Sequence, residues 1–209
     1  MRRTRVTAGL AALVLLLSVA ACGQPELTGT DLGETPAPDF TLTDFRGEPV
    51  SLRDFRGRAV ALTFIYTNCP DVCPLIAEKL RRAYERLPES DRDRVALIAV
   101  TVDPARDTPE ALQAFSERHR LADNAQWYAL TGDRAALEPV WQAYYVDPGV
   151  MIDDAPHNEA DHEHAPATST TLAHTDAIFI IDPDGKERVL LRADVDPDVI
   201  AADLQALIG

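Results

Sequence analysis

Cysteine is scarce in this chain: Cys22, Cys69 and Cys73 are the three in 209 residues. Cys22 falls in a leader described below, and the other two lie four apart. Such a pair closes only a small loop and gains little as a staple, so a disulfide framework is excluded as the source of stability. Positive charge is scarce as well, with 20 Lys and Arg against 34 Asp and Glu and a formal charge of −14. A surface that acidic argues against nucleic acid or anionic lipid headgroups as partners; it either serves solubility or favours a basic protein or a cationic ligand. Long apolar runs are missing too, since Leu10–Val19 is too short to span a bilayer comfortably. There is no internal repeat, which removes solenoids and other repeat arrays.

What is present begins with an address. Arg2, Arg3 and Arg5 form a positive stretch, Leu10–Val19 an apolar one, and Val19-Ala20-Ala21 a small-residue approach to Cys22. This pattern resembles a bacterial lipobox, which makes residues 1–21 a lipoprotein signal peptide and Cys22 the lipidated first residue of the mature protein. An ordinary secretory signal with a chance cysteine is the alternative. Each acyl CH₂ buried in the bilayer contributes about 0.8 kcal/mol, so several chains anchor firmly. Removing residues 1–21 takes away three arginines and no acid, so the formal charge moves from −14 to −17. The remaining chain is long enough for one domain with a real core.

Gly23–Pro38 is polar, rich in Gly, Pro and Thr and without periodicity, which predicts a flexible tether over 22–38 and a folded domain over 39–209. Asp39–Thr43 alternates and Pro49–Leu52 follows across Arg46-Gly47-Glu48, a hairpin signal. Ala59–Tyr66 is a continuous apolar run, as expected of a central strand covered on both faces. Ile76, Leu80, Ala83, Tyr84 and Leu87 then recur at helical spacing, with Lys79, Arg81, Arg82 and Glu85 on the other face. Proline favours the first helical position, so this helix is expected to begin at Pro74, with Cys73 as its cap and Cys69–Val72 as a turn.

Val95–Val102 predicts a second buried strand, and Thr108-Pro109-Glu110 opens a helix whose stripe carries Leu112, Phe115 and His119. Gln126–Leu130 predicts a short strand. Asp133 opens a helical pattern through Tyr145, bent or begun late at Pro139. Thr175–Asp182 is a third apolar strand, Pro183–Lys186 a turn, Val189–Leu191 the return strand and Pro197–Ile208 a closing helix. Asp153–Ala167 gathers acids with His157, His162 and His164 but lacks apolar periodicity, and is expected to be a loop. The order of elements is α/β.

Chemistry concentrates at Cys69 and Cys73. Thiols at the end of a buried strand, just before a helix, lie where outward-pointing backbone N–H groups lower a thiol pKa. That suits redox chemistry or soft-metal binding. A thioredoxin-like domain places a thiol pair after its first central strand and faces it with the loop before a later strand. Here that loop is Thr171–Asp176, and His174 directly precedes the strand it leads into.

Three motifs extend the reading. Thr67-x-Cys69-Pro70-Asp71-Val72-Cys73-Pro74, then Val102-Asp103-Pro104-x-Arg106-Asp107-Thr108-Pro109, then His174 ahead of Phe179-Ile180-Ile181-Asp182-Pro183-Asp184-Gly185, resemble the Sco/SenC family in order and spacing. The resemblance covers the chain from about Pro38 onward. It implies a thioredoxin-like α/β fold with an N-terminal β-hairpin and a membrane-anchored copper chaperone for cytochrome c oxidase. It also implies Cys69, Cys73 and His174 as copper ligands, and a Cys69–Cys73 disulfide when oxidised. Two thiolates and an imidazole suit Cu(I), and hold Cu(II) with an added oxygen ligand. The implied partners are subunit II of the oxidase and other periplasmic copper carriers. The implied location is the outer, periplasmic or extracellular, face of the cytoplasmic membrane. Asp71, between the cysteines, is either a solvated turn residue or one that tunes their charge or accepts a proton; Asp103 and Arg106 are sufficiently explained as capping and turn residues.

The resemblance leaves one enzymatic alternative, a thiol-disulfide oxidoreductase that reduces the oxidase cysteines before copper is loaded. Against it stand the extra residue relative to C-x-x-C and the Ala173-His174-Thr175 approach, where thioredoxins place a cis-proline. A peroxidase of the peroxiredoxin type is excluded, because its P-x-x-x-T-x-x-C pattern meets Leu62 and Tyr66 here. Structural zinc takes four closed ligands, and the implied set has three. His157, His162 and His164 offer either a flexible copper-capture station or an ordinary solvated loop.

Overall fold

The run Ala59–Ile65 is buried along its whole length, which requires cover on both faces, and the molecule is layered accordingly. The structure is a computed structural model and describes residues 26–148 and 176–209. The described strands are β1 Thr30–Pro36, β2 Thr41–Asp44, β3 Pro49–Ser51, β4 Ala59–Ile65, β5 Val95–Thr101, β6 Trp127–Thr131, β7 Ala177–Ile181 and β8 Lys186–Arg192. They join one sheet in the order β1-β8-β7-β4-β5-β6-β2-β3. The described helices are α1 Val72–Arg86, α2 Pro109–Arg118, α3 Arg134–Ala143 and α4 Pro197–Ile208.

β4, β5 and β6 run parallel, with Ala59 opposite Val95 and Ile65 opposite Thr101. β7 returns antiparallel beside β4, and β8 beside β7. The C-terminal ends of β4, β5 and β6 therefore share one end of the sheet with the start of β7. That is where the crossover loops, and with them the cysteines, are gathered. α1 packs on α4, and α2 is tied to α1 through Arg120 and Glu78 and to β6 through the Trp127 indole N–H, which donates to Ser116 Oγ at 2.9 Å. α3 lays Tyr144 against Phe64 and Phe179, with ring centres 5.6 and 5.1 Å apart. Strands β4 to β8 with these helices form the expected thioredoxin-like α/β fold, and β2 and β3 pair as the expected hairpin.

Four expectations change. Within the segment read as a tether over 22–38, Thr30–Pro36 is a strand, paired antiparallel with β8 from Thr30↔Leu190 to Pro36↔Lys186. The Thr28 N–H donates to the buried carboxylate of Asp203 at 3.1 Å, and Leu27 packs on the core. The strand escaped the sequence reading because its side chains are mostly exposed and its attachment is mainly backbone pairing, which leaves no apolar alternation. Gly29 makes the hook possible. It sits at φ +101°, and a Cβ there would lie 2.7 Å from Leu190 O. Gly29→Ala is thus expected to cost about 1–3 kcal/mol, read as lost hydrogen-exchange protection in β1 ahead of the rest of the sheet.

The second change is at α3: Asp133 opens it, as expected, but the helix starts at Arg134 and not late at Pro139. The Asp133 side chain accepts from Ala136 N–H at 2.8 Å, and this cap fixes the start, while exposed Pro139 is carried inside the helix. Third, Arg81 is not on the solvent face of α1: it is buried, and its guanidinium pairs with Glu78 and Glu85. The fourth change concerns the start of α1 and belongs with the site.

Candidate functional site

Cys69 closes a tight turn at the end of β4, its N–H donating to Tyr66 O at 3.1 Å. Helix α1 begins at Val72, two residues ahead of the expected start, so Cys73 is its second residue rather than its cap. Pro74 fits inside the first turn because the N–H groups there have no intrahelical partner to lose. One of those spare donors has a use: the Cys73 N–H points at Cys69 Sγ, 3.3 Å away. Cys69 lies in the turn and Cys73 in the helix, so the two sulfurs converge without sharing a helix face. Both are free thiols, Cys69 with 9% of its surface exposed and Cys73 with none.

The pair is electrostatically unequal. The Cys73 thiol donates to Cys69 sulfur and holds Cys69 well below the ordinary thiol range; burial opposes this, while the backbone N–H groups of Cys73 and Asp71 and the Tyr66 side chain assist it. Cys73 is driven the other way, first by serving as that donor, then by burial and by the nearby charges of Cys69 and Asp107. The arrangement favours the thiolate at Cys69 and the proton at Cys73. Such a pair is primed to attack a disulfide or to take a soft cation as Cys73 gives up its proton.

Asp107 is the residue the sequence reading left without a task. It is fully buried, yet its Oδ1 accepts from Thr67 N–H at 3.0 Å and Thr67 Oγ at 2.6 Å, and its Oδ2 accepts from Thr101 Oγ. Thr101 Oγ in turn accepts from Asp103 N–H at 2.9 Å, and Thr101 O accepts from the Trp141 indole at 3.0 Å. The first two sequence motifs are thus bolted together, and the bolt ends two residues before Cys69. Burial raises the Asp107 pKa, and the three donors work against that rise. A hint was available: Thr108 already caps α2 through Ala111 N–H, so the adjacent aspartate had no capping role to fill. Asp103 pairs with Arg106 as a loop residue, as expected.

Among the described residues, no third His, Cys, Asp or Glu joins the cysteines in a group placed to hold a metal ion. His174, the expected third ligand, lies outside the described residues, as do Cys22, His157, His162 and His164. No described helix is long and apolar enough to cross a membrane.

Comparison with known proteins places this geometry. The SCO1/SenC family model matches residues 29–209. A protein of Stutzerimonas stutzeri named for copper binding is 31% identical over 160 residues, 77% of this chain and 71% of its own length. The solution structure of apo Sco1 from Thermus thermophilus aligns with a TM-score of 0.64 at 30% identity, covering 88% of this chain and 99% of that one. Bradyrhizobium japonicum ScoI with copper bound aligns at 0.57 and 27% identity, covering 83% and 99%. The chain spans about half the length of the mitochondrial SCO1 and SCO2 relatives it also matches.

Proposed function

Because this chain belongs to the SCO1/SenC family, we propose that it is a copper chaperone which holds the ion on Cys69, Cys73 and His174 and helps assemble the CuA centre in subunit II of cytochrome c oxidase. The observation that carries this reading is the convergence of the two cysteines at the end of β4, Cys69 Sγ accepting the Cys73 N–H at 3.3 Å, in a loop fixed by Asp107. Two sulfurs and an imidazole are a soft set suited to Cu(I), and three protein ligands leave one position open for exchange. A copper-bound relative and family members described as cytochrome c oxidase assembly proteins support the cargo and the pathway.

Residues 1–21 are the export signal in this proposal, and lipid on Cys22 holds the domain at the outer face of the cytoplasmic membrane. Copper moves by ligand exchange with cysteines and histidines of the partner, each new bond replacing one of similar strength. Oxidation to a Cys69–Cys73 disulfide stops the cycle, because the dithiolate is then gone. The low pKa of Cys69 beside a second thiol also favours one alternative, reduction of the oxidase cysteines by thiol exchange.

Mixing the Cu(I)-loaded protein with the reduced apo domain of subunit II separates the two. Copper is expected to appear on subunit II, followed by mass spectrometry of each partner, and Cys69→Ala should pass none. Failure of the wild-type protein to pass copper, with full-rate reduction of an oxidised subunit II, would make the reductase the principal function.

A further inference from the structure

The surface around Cys69 is apolar at its centre and acidic at its rim. Pro70 is exposed, Val72 and Pro74 are half-buried, and Leu75, in the first turn of α1, is 42% exposed. Leu75 and Tyr145 are the only large hydrophobic side chains exposed among the described residues, so the fold otherwise buries such groups. With Pro70, Val72 and Pro74, Leu75 makes the described surface at the cysteine turn a contiguous apolar patch, the kind of feature that marks an interaction site.

The rim follows from strand polarity. Asp71, Glu110, Asp133 and Asp194 are exposed on the segments that leave β4, β5, β6 and β8, all at the cysteine end of the sheet. The bases at that end are occupied: Arg106 pairs with Asp103, Arg192 with Asp176 and Arg134 with Glu138. The opposite end is mixed: Arg58 and Arg94 lie there beside the exposed Glu89, Asp93, Asp123 and Asp184, Lys186 pairs with Glu34 and Arg120 with Glu78. At the cysteine end the exposed carboxylates outnumber the unpaired cations, which suits that end to a positively charged surface.

We infer that the cysteine end of the sheet is a docking surface for a protein face that offers an apolar recess to Leu75 and a surrounding rim of Lys and Arg. This rests on the proposed function, since the partner is the protein that exchanges copper or thiols with Cys69, and it adds the partner's charge and its anchor point. Docking of this kind is steered by the rim and held by the centre. Salt should slow association, and loss of Leu75 should speed dissociation.

Two measurements test it, and the first needs no copper. The reduced protein is reacted with cystamine, a cationic disulfide, and with 3,3′-dithiodipropionate, an anionic one, each scaled to its rate with free cysteine. Cystamine is expected to be favoured about tenfold at low salt, with the preference closing as the Debye length shrinks. Glu110→Gln combined with Asp194→Asn should reduce that preference, and Arg94→Gln at the far end should not. The second measurement is binding of the apo soluble domain of oxidase subunit II to wild type and to Leu75→Ser. Leu75→Ser is expected to raise Kd about tenfold, as loss of an interface anchor does, and to leave Cu(I) affinity unchanged. Equal scaled rates for the two disulfides, or a Kd indifferent to Leu75, would overturn the inference. A cationic preference in a protein that binds no Cu(I) would sustain the docking surface and reject copper as the cargo.

Discussion

Replacing Cys73 with alanine is expected to abolish tight Cu(I) binding and, in the metal-free protein, to return the Cys69 thiol toward its ordinary range. Cys73 has two parts in the proposal, one as a sulfur ligand and one as the donor that lowers the pKa of Cys69. Groups one step removed from a metal ligand already change affinity by roughly 10–100-fold; loss of a thiolate ligand should exceed that. The second role is visible without copper. Alkylation of Cys69 follows its thiolate fraction, so in the wild-type protein the rate should hold at neutral pH and fall only as pH drops well below the usual thiol range. In Cys73→Ala the same fall should begin at a higher pH, because the donor that favoured the charged form has gone. Copper affinity of the wild-type protein should also decline as pH falls, since both sulfurs must be deprotonated to bind. An unchanged alkylation profile in Cys73→Ala would mean that the hydrogen bond between the sulfurs does not set the state of Cys69.

Asp107→Ala is expected to cost about 2–4 kcal/mol, because it leaves the Thr67 N–H and two hydroxyls without their acceptor in a buried place. For a domain of this size that is a fall in Tm of roughly 5–15 °C. The Thr67 loop also loses its attachment to the segment after β5, so Cu(I) affinity should weaken by about tenfold, as for other supporting residues of a metal site. Asp107→Asn keeps a carbonyl for Thr67 and should lose less of both. The pH dependence has a definite sign. Burial raises the folded pKa of Asp107 above its unfolded value, so the fold favours the protonated form. Its contribution is greatest below the unfolded pKa and diminishes as pH rises through the folded one. The aspartate should thus account for a decline in stability on that rise that Asp107→Asn lacks. Thermal unfolding of the three proteins across mildly acidic to neutral pH checks both points.

These residues also show where the sequence was readable. β4 and β5 were legible because strands buried on both faces are continuous apolar runs, and α4 because Asp196 and Pro197 open it and its apolar spacing continues to Ile208. β1 was not legible: it is held mainly by backbone pairs to β8, with a Glu34–Lys186 ion pair and the Thr28 N–H on Asp203 beside them, and none of these leaves an apolar alternation. The start of α1 was misplaced because proline at the third helical position obeys the same rule as proline at the first, that the missing N–H has no partner there to lose. The cysteine pair was legible from its place between an apolar strand and an amphipathic helix. Its inequality was not, because that depends on which sulfur receives the Cys73 N–H. Asp107 was hidden by distance in sequence: it lies forty residues beyond Thr67, and only the parallel pairing of β4 with β5 brings the two loops together.

The central claim is that Cys69, Cys73 and His174 form a copper site. Titrating the reduced soluble chain, residues 24–209, with Cu(I) against a competing chelator, beside the His174→Ala variant, tests it most directly. The expected result is one tight equivalent in the wild-type protein that is lost in the variant, while the variant still forms and reduces its Cys69–Cys73 disulfide. Absence of tight binding in the wild-type protein, with a readily reduced disulfide, would contradict the claim and leave a thiol reductase; tight binding untouched by the variant would remove His174 from the site.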